Sequence, residues 1–214
     1  METMKKNHIL VWSFVALILL IDQTLKIYIK THFLLGESVY ITDWFQIVFV
    51  ENPGMAFGMS FGPKLALTLF RLILSAFIVW YLIKLVRDGY RRGYLLCVAL
   101  ILAGAIGNII DCMFYGICFG ESTFTQIAGF MPTDGGYAPF MHGKVVDMFY
   151  FPFFTFPDWV PLLGGDIFFS PVFNVADSAI TVGICLLLIF FTKDFNASFD
   201  RYFSRKTKNE KAQE

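Results

Sequence analysis

Residues 94–115 read YLLCVALILAGAIGNIIDCMFY, 22 positions with a single charged residue, Asp111. About 20 mostly apolar residues suffice for a helix to cross a bilayer core roughly 30 Å thick, so this stretch reads as a membrane span. Within it Gly104, Gly107, Asn108 and Asp111 recur at helical spacing, placing one small, polar stripe on an otherwise apolar rod. Small residues let a neighbouring helix approach closely, and polar ones can bond across the contact.

Working outward, residues 9–29, 65–86 and 172–192 qualify as spans by the same test. The composition agrees: the 214 residues are 57% hydrophobic and 16% charged, with a mean hydropathy of +0.62, against roughly 25% charged in soluble domains. The fold class expected is a four-helix membrane protein in one domain, residues 1–214. Lys5 and Lys6 precede the first apolar run as in a signal peptide, but no small-x-small cleavage site follows, so it reads as a retained span. Twelve of the 17 Lys and Arg residues fall at the N-terminus, around the junction of spans two and three from Lys84 to Arg92, or in the tail from Lys193 onward. By the positive-inside rule both termini are then cytoplasmic, and residues 31–64 and 116–171 are external.

Net charge is zero, which offers nucleic acid no basic footprint. The four cysteines form no CxxC pair and the three histidines no HExxH, so neither a structural zinc site nor a zinc peptidase is expected; no metal and no cofactor is assigned. Residues 39–50, rich in β-branched and aromatic side chains, predict one or two strands of a small sheet on the outer membrane surface. Residues 116–143 are Gly-rich and irregular. From Val145 to Pro161 the chain is aromatic and broken by prolines, which predicts a segment lying at the bilayer interface. The tail after Lys193 reads as polar and frayed.

A carboxylate inside a span costs at least about 2.5 kcal/mol on insertion scales. Asp22 ends the first span, Asp111 lies late in the third, Asp177 early in the fourth, and Asp147 just ahead of the aromatic segment. On this topology all four converge near the outer leaflet. On span four Asn174, Asp177, Ser178 and Thr181 share a face, as Asn108 and Asp111 do on span three. Two adjacent carboxylates can share one proton and activate water for hydrolysis without a metal. They could equally carry protons or cations in a transporter, and spacing alone leaves both readings open.

The motifs carry a resemblance. Asp22-Gln23-Thr24-Leu25-Lys26, Asn52-Pro53-Gly54-Met55-Ala56-Phe57-Gly58, Gly107-Asn108-Ile109-Ile110-Asp111, Val145-Val146-Asp147 and Phe173-Asn174-Val175-Ala176-Asp177 resemble, in order, the DQxxK, NxGxAFG, GNxxD, VxDF and FNxAD elements of the bacterial lipoprotein signal peptidases, or type II signal peptidases. The resemblance spans nearly the whole chain. It implies an aspartyl endopeptidase of the bacterial inner membrane that removes signal peptides from prolipoproteins on the N-terminal side of a diacylglyceryl-modified cysteine. Asp147 and Asp177 would then be catalytic, and Asp22, Lys26, Asn52, Gly54, Asn108, Asp111 and Asn174 would bind substrate or support the site. Membrane lipids and globomycin-like cyclic peptide inhibitors are the further partners implied. The chain departs from the family in three ways, the mildest being Met148 in place of the Phe that ends VxDF, an apolar swap. Cys112 stands where the family's GNxxDR has Arg, for which Arg71 of span two is a candidate substitute, and residues 116–143 form an insertion between Asp111 and Asp147.

Overall fold

In the computed structural model, which describes residues 2–53 and 64–204, the stretch quoted above is the central helix. Helix α1 covers Glu2–His32, α2 Lys64–Arg87 and α3 Arg92–Ile110, which continues through a π-helical turn, Asp111–Tyr115, into α4, Gly116–Cys118. Helix α5 is Val175–Phe190 and α6 is Thr192–Phe203. Three of these rods, ending at His32, Arg87 and Cys118, are long and apolar enough to cross a membrane; α5 becomes a fourth when α6, bent from it by 93°, is counted with it. The protein is thus a helical membrane protein. The fourth span starts at Val175 rather than residue 172, because Asn174 caps the helix.

Helix α3 packs against α1, α2 and α5, and its small stripe explains how closely. A Cβ at Gly104 would collide with the Ala176 carbonyl, and one at Gly107 would lie 2.6 Å from Asp22 Oδ2. Glycine at these two positions lets α5 and the Asp22 carboxylate close on α3. Away from the site, Tyr81, Leu82, Leu85, Tyr94, Leu95 and Leu102 form the main apolar core.

At the other end stands a three-stranded antiparallel sheet, ordered β1 (Ser38–Thr42), β2 (Phe45–Asn52) and β3 (Val145–Tyr150). The β1–β2 hairpin falls on the stretch expected to form strands. The third strand is a correction: the sequence places Val145–Tyr150 in the interfacial aromatic segment, but it pairs with β2, setting Val50 opposite Asp147 and Asn52 opposite Val145. Sheet geometry wins because Val145, Val146 and Met148 are buried, not at a lipid boundary. The remaining aromatic run makes a short hairpin, β4 (Phe154–Thr155) with β5 (Ile167–Phe168).

Residues 119–144 have little regular structure, as expected, yet they are packed. Phe119, Ser122 and Ala128 are buried, and Phe119 joins Ile29, Phe49, Tyr115, Val146 and Met148 in a second core beneath the sheet. The tail is also corrected: α6 is ordered to Phe203. Phe195, Phe199 and Phe203 stack at helical spacing, while Ser198 is buried and bonded to Tyr81 and Tyr94.

Candidate active site

The chain brings its carboxylates together by three local devices. The first is helix α1, where Asp22, Lys26 and Lys30 repeat every four residues and so share one face. Lys26, fully buried, lies 3.0 Å from Asp22 Oδ2 and 2.8 Å from Asp111 Oδ2, and donates to Asn108 Oδ1 at 2.9 Å. One ammonium thus serves two buried carboxylates and an amide, which is how such charges are tolerated away from water. Asp22 Oδ1 accepts from the Ala176 backbone N–H at 2.9 Å, holding the first turn of α5 against α1.

The second device is the start of α5. Asn174 Oδ1 accepts from the Asp177 N–H at 2.9 Å and Asp177 Oδ2 accepts from the Asn174 N–H at 3.3 Å, a reciprocal capping box that satisfies two otherwise orphaned donors. Asp177 is therefore placed by the folding of the helix end itself. Its other oxygen accepts from Asn108 Nδ2 at 2.8 Å.

The third is the sheet. Phe173, next to the cap, exchanges backbone hydrogen bonds with Phe149 at 2.7 and 3.0 Å, so β3 runs directly into the α5 start. Asn174 Nδ2 then donates to Asp147 Oδ1 at 2.7 Å. Asn174 touches both aspartates, one through its amide nitrogen and one through its amide oxygen and backbone. Asn52, at the end of β2, adds a hydrogen bond to Asp147. Asp147 is almost fully buried on β3, and burial first, then the Asp177 charge, push its carboxyl up to about 7. Near neutrality this arrangement can hold one shared proton, the state in which one carboxylate accepts a proton from water while the other donates to a carbonyl.

Of the residues singled out from sequence, Asp22, Lys26, Asn52, Asn108, Asp111, Asn174, Asp147 and Asp177 form one connected network. Gly54 and the stretch to Gly58 lie outside the described residues. Two contributors were missed. Gln23 donates to Asp22, to the Gly107 carbonyl and to Asp111, and accepts from Tyr115; its place between two motif residues was the available signal. Lys30, fully buried, pairs with Glu51, which Lys144 also contacts at 2.8 Å, and it donates to Ser122. Burial alone would raise the Glu51 carboxyl, but the two ammonium groups overcome it and hold it below its ordinary value. Lys30 continues the four-residue repeat of Asp22 and Lys26, so the face was readable even though its partners were not.

The π-helical turn also shapes the site. In this turn the Cys112 and Met113 carbonyls accept from the Gly143 N–H at 2.8 Å and the Met141 N–H at 3.1 Å. That seats the returning chain just ahead of β3 and directs the Val146 N–H onto Asp111 Oδ2 at 3.3 Å.

With this geometry in place, the comparisons with known proteins agree among themselves. A sequence profile described as Signal peptidase (SPase) II matches residues 14–193. The lipoprotein signal peptidase of Porphyromonas gingivalis is 48% identical over 193 residues, covering 88% of this chain and 85% of that one. The lipoprotein signal peptidase of Amoebophilus asiaticus is 35% identical over 192 residues, covering 84% and 77%. Among solved structures, a bacterial membrane enzyme at 23% identity superposes with a TM-score of 0.56, covering 86% of this chain and 88% of that one, a likeness of fold. The chain belongs to the lipoprotein signal peptidases, aspartic peptidases of the bacterial membrane that cleave signal peptides from prolipoproteins.

Proposed function

We propose that Asp147 and Asp177 are the catalytic pair and that cleavage falls on the N-terminal side of a diacylglyceryl-modified cysteine. The observation that carries the assignment is Asn174, bonded at once to the Asp147 side chain and to the Asp177 carboxylate and N–H. In this reading one aspartate takes a proton from water while the other donates its proton to the scissile carbonyl. The water oxygen forms the new C–O bond, and the tetrahedral intermediate collapses as the leaving nitrogen is protonated. Asp22, Lys26, Asn108, Asp111 and Asn174 hold the pair, and Asn52 and Gly54 contact substrate or its lipid.

The termini are proposed to be cytoplasmic, with the sheet and the dyad toward the periplasmic face of the inner membrane. Support comes from the positions in the sequence of twelve of the 17 Lys and Arg residues, at the N-terminus, around the α2–α3 junction and from Lys193 onward. Residues 116–143 are an insertion within a single domain, and globomycin-like cyclic peptides are expected to compete with substrate at the dyad.

The test is purified protein with a diacylglyceryl-cysteine precursor, scored for release of the signal peptide. Asp147→Asn and Asp177→Asn are each expected to lower kcat by about a thousandfold or more while the protein still inserts. Turnover near the native rate by either variant would sink the assignment.

A further inference from the structure

The fourth span ends in a 93° bend, so the helix that follows it, α6, runs along the membrane surface instead of across it. Two hydrogen-bonded residues fix how α6 is rolled. Buried Ser198 meets the Tyr81 and Tyr94 hydroxyls at 2.6 and 3.0 Å, and one turn later Tyr202 donates to Asp88 at 2.6 Å. The Ser198–Tyr202 stripe therefore faces the α2–α3 end of the bundle. Each following residue lies about 100° further round a helix, so Phe199 and Phe203 form a second stripe beside the first, with ring centroids 5.0 Å apart. These two rings are 50% and 39% exposed. Lys193, Asn196 and Asp200 make up a third, polar side, and all three are exposed. Protein covers one side of α6 and water suits another, which leaves an apolar side to account for.

Two observations say what lies against Phe199 and Phe203. The first is continuity with the outward surface of a span. Phe203 packs on Phe77 and Trp80 of α2, with ring centroids 5.8 and 5.9 Å apart, and those two rings are themselves exposed on a helix that also presents Ile73 outward. Phe77, Trp80, Phe203 and Phe199 thus make one apolar surface that turns from the span onto α6. On a membrane span such a surface meets acyl chains, and Trp is enriched where that surface reaches the headgroups. The second observation is charge. The end of α2, the α2–α3 junction and α6 together carry Lys84, Arg87, Arg91, Arg92, Lys193 and Arg201 against Asp88, Asp194 and Asp200. Arg201 is paired with Asp88 and Arg91 with Asp194. Lys84 lies over the Trp80 ring, 5.8 Å from its centroid, and among the described residues no carboxylate pairs with Lys84, Arg87 or Lys193. Positive charge is therefore left over beside an apolar surface at the level of the interface.

We propose that α6 is an interfacial helix that binds anionic phospholipids, with Phe199 and Phe203 among their acyl chains and Lys84, Arg87 and Lys193 holding their headgroups. An amphipathic helix lying in the interface draws its binding strength from buried apolar area together with attraction to anionic lipid, and α6 with the adjoining end of α2 supplies both. A zwitterionic headgroup carries its own cation and leaves the three basic side chains unmatched, so the surface discriminates by lipid charge.

The test uses the full-length protein reconstituted in phosphatidylcholine bilayers, with spin-labelled phosphatidylglycerol or spin-labelled phosphatidylcholine as the probe. The fraction of each probe immobilised by the protein gives their relative affinity. The native protein is expected to favour the anionic probe about fivefold or more. That preference should fall at least about threefold when Lys84→Gln, Arg87→Gln and Lys193→Gln are combined, and likewise for the native protein in about 1 M salt. Equal immobilisation of the two probes, a preference that survives the salt, or one undiminished in the triple variant overturns the proposal; the salt measurement stands even where the variant does not fold. Phe199→Trp reads the apolar side. Its added fluorescence, taken as the difference from the native protein, should be quenched about twofold or more by lipids brominated on the acyl chain and far less by aqueous acrylamide. Quenching mainly by acrylamide puts α6 in water, and protection from both quenchers puts a second copy of the chain against Phe199; either result overturns the proposal.

Discussion

Lys26 has no contact with water, and its three partners are Asp22, Asp111 and Asn108. Removing one member of a buried charge cluster leaves the others uncompensated, at a cost of about 3–5 kcal/mol. Lys26→Met is therefore expected to lower the unfolding temperature in detergent sharply and to abolish cleavage, whereas Lys6→Met, at an exposed pair with Glu2, should change neither. Asp147 gives a pH signature of opposite sense to an ordinary paired carboxylate. Its folded value, about 7, lies above the ordinary value near 4. The folded protein then holds the proton more tightly than the unfolded chain, and stability falls as pH rises from about 4 through 7. Asp147→Asn has no such proton to lose. Its melting temperature should match the native protein near pH 4 and exceed it near pH 8, on the order of 5 °C. Equal melting curves at both pH values would contradict the burial of Asp147 as the cause. Native activity should decline through the same range as the pair loses its shared proton. Most of these residues were legible in the sequence, because a carboxylate or ammonium inside an apolar span needs a reason to be there. The Lys30–Glu51–Lys144 contact was not, since it joins a helix, a strand and the residue just ahead of another strand, and depends on a register that no local pattern reveals.

At the scale of elements, the joint between α3 and α5 decides whether the dyad forms. Gly104 meets the Ala176 carbonyl, one residue before Asp177. A larger side chain there must push the α5 start away from Asn108 and from the Asn174 cap. Gly104→Leu is expected to remove activity and cost about 1–3 kcal/mol from overpacking, read by thermal unfolding together with precursor cleavage. Gly129→Ala, where an added Cβ meets nothing within 4 Å, is the matched control and should leave both unchanged. The small stripe on α3 and the polar stripe on α5 were visible as helical repeats. Strand β3 was not, because Val145–Tyr150 merges into an aromatic, proline-rich run and its pairing partner lies about a hundred residues earlier. The order of α6 escaped for a related reason: its Lys and Asp residues mask a row of phenylalanines spaced four apart.

For the molecule as a whole, hydrophobic length was enough to locate the spans, since a bilayer allows few alternatives to a helix. What length could not supply was how each rod ends. The fourth helix has 16 residues, capped by Asn174 at one end and broken by a 93° bend at the other. At 1.5 Å per residue it is about 24 Å long, against a hydrocarbon core of about 30 Å. A rod that short is expected to draw the two lipid leaflets toward each other along α5, the helix that carries Asp177. Such thinning would bring headgroups and their hydration closer to the carboxylate proposed to act with water, where a lipid-anchored precursor would enter. Reconstituted activity should accordingly be highest in bilayers with thin cores and fall as acyl chains lengthen. A rate indifferent to chain length would show that the flank of α5 leaves the surrounding lipid undeformed.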